Sequence, residues 1–179
     1  MASIRAPMDA PMWGTIDAAH VFHEPKYSSS PYFAEYYNSL SSFIYVAAAA
    51  LGAYCTRGSD WRIGIGWSTL AVVGLGSAAF HATMRFTMEL CDEIPMLLLA
   101  LAFLIGKEDC IGVMSGPAGR RRFRLTAFAL FMASSLLYIT LKIYEIFIAS
   151  FTIGVLAEIA IDVACKPKTW QTRTAFWVS

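Results

Sequence analysis

Residues 63–83 read IGIGWSTLAVVGLGSAAFHAT, twenty-one positions without an aspartate, glutamate, lysine or arginine. A helix that crosses a hydrocarbon core of ~30 Å needs about 20 predominantly apolar residues, and this stretch supplies them. Four further runs flank it: 36–54, 94–106, 125–141 and 143–165. The run 94–106, IPMLLLALAFLIG, reaches a full span only if residues 90–93 join its helix, and the last run is weakened by Glu158 and Asp162. Together they predict an all-α fold, a polytopic transmembrane helix bundle of about five spans. Composition agrees. Hydrophobic residues make up 57% of the 179 and charged ones 15%, against about a quarter charged in soluble domains, and mean hydropathy is +0.53. A chain this apolar is not disordered. A net charge of +1 also argues against a nucleic-acid binder, which carries a basic excess.

The connecting segments set the expected orientation. Lys107, Arg120, Arg121, Arg122 and Arg124 lie between the third and fourth runs, read as a loop over 107–124. Arg57 and Arg62 lie between the first and second, and Lys166, Lys168 and Arg173 follow the fifth. These segments share one side, which the positive-inside rule makes cytoplasmic. Three parts follow: a lumenal N-terminal arm (1–35), a transmembrane domain (36–165) and a cytosolic tail (166–179). The arm is polar and proline-containing, with no signal-peptide core, and no internal repeat suggests a transporter. The four cysteines show no CxxC spacing and read as small apolar packers. The glycines at 64, 66, 74 and 76 read as points of close helix approach.

Ionisable groups at membrane depth are costly and mark function. Ser77 and His81 are four residues apart, on one helix face. Cys91-Asp92-Glu93 follows ten residues on and leads into the next run. A short connection makes the two helices antiparallel neighbours, so Ser77, His81 and Asp92 converge near the lumenal face. A serine triad needs a nucleophile on a sharp turn, which this spacing lacks. A catalytic zinc with His81 as ligand fits better. A histidine bonded across helices, with Ser77 bonded to its own helix carbonyl, fits the spacing too. At the mouth of the first run, Glu35 and Asn38 lie three apart on one face. They read either as a hard-cation site such as calcium or as a capped first turn, with Glu35 favouring the helix dipole.

The same residues carry a family resemblance. Trp13-Gly14, Tyr32-Phe-Ala-Glu35-Tyr-Tyr-Asn38, Val73-Gly-Leu-Gly-Ser77-Ala-Ala-Phe-His81-Ala-Thr83 and Leu90-Cys-Asp92-Glu93-Ile-Pro95-Met96 resemble the alkaline ceramidases. That family comprises seven-span membrane zinc amidohydrolases. The likeness covers about 13–165 and is strong as far as Met96. It implies that His81 is one of three zinc-binding histidines, that Ser77 polarises the amide carbonyl, and that Asp92 acts on the zinc-activated water. The substrate implied is ceramide, taken from the bilayer of the endoplasmic reticulum or Golgi.

Two departures bear on this. The family's other two zinc ligands form a HxxxH pair in its last span, whereas this chain has only His20, His23 and His81. The chain reads as C-terminally truncated, and His20 or His23 is the available substitute. The family also holds calcium with an Asp-Trp-x-Glu-x-Asn run and the glutamate matching Glu35. Here Glu24 and Glu35 keep their places, Lys26 replaces the asparagine, and Asp17 is displaced by four residues. A lysine opposes a cation, so calcium binding at Glu24, Glu35 and Asp17 is expected to be weak. Two functions follow: a ceramide amidohydrolase using zinc, with calcium as a second ion; or a truncated, non-catalytic membrane protein of the same fold that binds lipid or a partner. A small channel is disfavoured, because no run carries a charged stripe.

Overall fold

A computed structural model describes residues 12–59 and 61–164, and among them the regular structure is helical. Helix α1 (Tyr36–Ser41) and α2 (Phe43–Cys55) meet at Ser42, whose φ of −60° and ψ of −25° keep the chain helical, so together they make one span. α3 (Trp61–Thr83), α4 (Phe86–Gly106), α5 (Glu108–Leu141) and α6 (Tyr144–Ala164) follow. Among the described residues, four segments are long and apolar enough to cross a membrane: Tyr36–Cys55, Ile63–Thr83, Gly116–Leu141 and Tyr144–Ala164. α4 has 21 residues, about 31 Å at 1.5 Å per residue. Residues 90–93 do join its helix, and its acidic first turns, with Glu89, Asp92 and Glu93, are buried. The outer faces of α5 and α6 expose Leu136, Leu137, Leu156 and Ile159. In water such a surface would aggregate; on an integral membrane protein it faces lipid.

The segment expected as a loop over 107–124 is helical instead. α5 starts at Glu108 and bends once, at Gly116 (φ 70°, ψ −175°), immediately before Pro117. Arginine is a good helix former, and proline suits the first position after a break. The Gly-Pro pair therefore re-aims the helix rather than ending it. Lys107 bonds Asp162 of α6 at 2.8 Å, which neutralises one of the three carboxylates of that helix, Glu145, Glu158 and Asp162.

The glycines divide into two groups. A Cβ on Gly74 would stand 2.8 Å from Val46, and one on Gly76 only 2.1 Å from the Cys91 carbonyl oxygen. α3 therefore touches α2 at one position and the backbone of α4 at the other. Gly64 and Gly66 face open space, against the expectation of close packing. Cys55 and Cys91 are free and exposed rather than packed inside. Cys165 and the segment 166–179 lie outside the described residues.

Gly76→Ala is expected to lower stability by about 1–3 kcal/mol, because a backbone must move to admit the methyl group. Gly64→Ala, meeting nothing, should gain roughly 0.5–1 kcal/mol from the stiffer helix. Thermal unfolding of both variants in detergent measures the contrast.

Candidate functional site

The site begins where α3 ends. A helix leaves its last carbonyls without partners, and here the arm supplies them. Ala34 N–H donates to the Ala82 carbonyl (2.8 Å) and Glu35 N–H to that of His81 (2.9 Å). Met84, buried with φ at 51°, turns the chain, and its carbonyl accepts from Asp17 and Ala18. The start of α4 is capped from the same arm. Phe86 N–H donates to Asp17 Oδ1 (2.8 Å), and Arg85 pairs with Asp17 Oδ2 (3.2 Å). Glu89, fully buried, accepts from Ala19 N–H (2.6 Å) and His20 N–H (2.9 Å). Phe22 and Tyr27 pack on Ala34, Phe80 and Met84 beneath.

Glu35 lies at the centre and is fully buried. One carboxylate oxygen accepts from Lys26 Nζ. The other accepts from Asn38 Nδ2 (2.9 Å) and meets His81 Nδ1 at 2.6 Å. An ionised carboxylate only accepts, so the neutral imidazole carries its proton on Nδ1 and keeps a lone pair on Nε2. That is the tautomer a metal-ligating histidine needs. Burial pushes the Glu35 carboxyl up, but the bonds from Asn38, Lys26 and His81 outweigh it and hold the group below the usual carboxylate range.

Ser77 and Asp92 join from the crossing at Gly76. The Ser77 hydroxyl shares a 3.1 Å hydrogen bond with Ser42, and the Asp92 carboxylate stands beside it. Ser39 Oγ donates to the Ala78 carbonyl (2.8 Å), pinning α1 to α3 at the same level. Ser77, His81, Asp92 and Glu35 thus gather at one end of the bundle, opposite the end that carries Arg57 and Lys107.

The other expected residues lie apart. Asp17 is engaged at the start of α4 and does not join Glu24. Glu24, rather than Glu35, caps α1: its two oxygens accept from Tyr37 N–H (2.8 Å) and Asn38 N–H (3.0 Å). Glu35 makes no side-chain cap, since its oxygens are taken by other partners. His20 stacks on Tyr144 with ring centroids 4.2 Å apart, His23 is exposed, and Phe22 packs against both His20 and His81. Neither histidine joins His81. A catalytic zinc takes three protein ligands and a water. Among the described residues no three His, Cys, Asp or Glu side chains gather to hold a metal. His81 suits one zinc ligand, and the described residues do not complete the set.

Sequence reasoning passed over Glu89, although an acidic residue in the first turn of a membrane helix was signal enough. It also gave Glu93 no role. That side chain is buried, with the Tyr138 hydroxyl as its neighbour. One turn further along α4 begins an apolar cavity of about 270 Å³, lined by Leu97, Ala100, Leu104, Leu130 and Ile153.

Comparison with known proteins adds the following. A family described as Ceramidase matches residues 14–175. The chain is 31% identical over 157 residues to dcd3A of Dictyostelium discoideum, covering 71% of this chain and 54% of that one. It is 28% identical over 120 residues to alkaline ceramidase 3 of Mus musculus (66% and 45%). Over 91 residues it is 31% identical to alkaline ceramidase YPC1 of Saccharomyces cerevisiae (48% and 28%). The chain spans about half the length of these relatives or less.

Glu35→Gln should lower stability by on the order of 2–3 kcal/mol. That is less than for a fully buried pair, because Lys26 is 19% exposed and partly screened. The folded-state pKa of Glu35 is depressed. The advantage of the native chain over the variant is therefore present above about pH 4.3 and closes as pH falls through the folded value. Melting temperatures of both chains across an acid series in detergent check this.

Proposed function

Because the chain belongs to the ceramidase family, we propose that it contributes the catalytic end of a ceramide amidohydrolase, which cleaves the N-acyl amide to a sphingoid base and a fatty acid. The observation that carries this reading is the bond from His81 Nδ1 to Glu35. It fixes the imidazole at the end of α3, four residues past Ser77, with Nε2 free of the proton. His81 is the zinc ligand this chain offers. A bound zinc supplies Lewis-acid polarisation of the amide carbonyl and acidification of water.

The chain's own groups divide the remaining work. Asp92 takes the proton from water as its oxygen bonds to the carbonyl carbon, and returns a proton to the nitrogen as the C–N bond breaks. The Ser77 hydroxyl donates to the carbonyl oxygen as charge builds there. Glu35 keeps the imidazole in one tautomer and one orientation. The apolar cavity starts at Leu97, five residues past Asp92 and so about 7.5 Å along the helix. Its position suits an acyl or sphingoid chain whose amide lies at the carboxylate. The basic residues at the opposite end favour a lumenal arm and site in the endoplasmic reticulum or Golgi.

A second reading rests on the absence of a three-donor metal cluster among the described residues: a non-catalytic relative that binds lipid or a partner. Zinc content and ceramide hydrolysis, measured on one detergent-purified sample, separate the two. Under the enzyme reading His81→Ala abolishes turnover, Asp92→Asn nearly does, and Ser77→Ala lowers kcat by roughly 10²–10³. Full turnover in His81→Ala would overturn the mechanism. Bound ceramide without fatty-acid release or zinc would favour the second reading.

A further inference from the structure

The calcium site implied by the family resemblance can be tested against the oxygens present. Calcium takes 6–8 oxygen ligands. Both oxygens of Glu24 accept backbone amides of α1. Both oxygens of Glu35 are held by Lys26, Asn38 and His81, and Asp17 is bound to Phe86 and Arg85. The residues do not fit the ion, because a different cation sits among them. Lys26 Nζ donates to the Phe22 carbonyl (2.6 Å), the Glu24 carbonyl (2.8 Å) and the Glu35 carboxylate. An ammonium has three N–H donors and no acceptor, and all three are used. Two of those acceptors lie four and two residues before the lysine, so the loop curls around its own side chain. Tyr27, with φ at 52° and its N–H bonded to the Ala34 carbonyl (2.8 Å), closes the curl.

We propose that the Lys26 ammonium is the resident cation of the arm, gathering backbone carbonyls and a carboxylate as a metal ion would, and that this chain takes no calcium at Glu24 and Glu35. Lys26 is then a positioning residue for His81, acting through Glu35. The inference stands apart from the catalytic reading, because its readouts are arm docking and melting rather than turnover.

The test uses the full chain in detergent with EGTA or millimolar calcium chloride, chymotrypsin reporting release of the arm. The native chain should resist cleavage and melt identically in both. Lys26→Asn, which exchanges the ammonium for an oxygen ligand, should release the arm in EGTA. In calcium it should re-dock it, with Tm rising by roughly 5 °C. A calcium-dependent gain in the native chain would overturn the proposal. So would a Lys26→Asn arm that stays docked in EGTA, or one that calcium does not restore. If Lys26→Asn does not fold under either condition, calcium uptake by the native chain decides: uptake that Glu35→Gln removes overturns the proposal, and none upholds it.

Discussion

One buried carboxylate holds the site end of this protein together. Glu35 leaves water completely, which is expensive for a charge unless every lone pair finds a donor. Its donors come from three places: Lys26 in the arm, Asn38 in α1 and His81 at the end of α3. Each partner is fixed by the others' need for the same group. The arm cannot lift without stranding the carboxylate, and the imidazole cannot rotate without losing its only hydrogen bond from Nδ1. The tautomer of the proposed metal ligand is therefore a property of the arm as much as of the helix that bears it.

The second constraint is distance. α3 and α4 approach until the backbone of one meets a bare Cα of the other, at Gly76 against Cys91. In lipid no water drives helices together, so packing and hydrogen bonds must do so, and a glycine at the crossing allows both. The neighbours of that crossing in sequence are Ser77 and Asp92. This close backbone approach thus lies beside the groups proposed for chemistry, which makes their separation as rigid as the crossing itself.

Hydropathy made the spans legible, because a bilayer demands long apolar runs whatever the tertiary arrangement. The nearness of Ser77 to Asp92 was equally readable, since a short connection makes the two helices antiparallel neighbours. What sequence could not reveal was pairing over distance. Glu35 and His81 are 46 positions apart, and Glu89 reaches the arm across 70. The segment before Arg124 looked like a loop because it is basic and lies between two apolar runs. Arginine propagates a helix, however, and the glycine only bends it. Lys26 was visible as a charge opposing a cation. That it stands in the cation's place follows only from where the chain folds Phe22 and Glu24.

The hydrogen bonds from Ala19 and His20 to Glu89 span about 70 residues. At 5–20 residues per second on the ribosome, the arm is made roughly 4–14 s before its acceptor. During that interval its backbone amides, its lysine and Glu35 remain in water while the first spans enter the membrane. The arm's contacts with α4 can therefore close only after all of α3 and the start of α4 have been made, long after the arm itself.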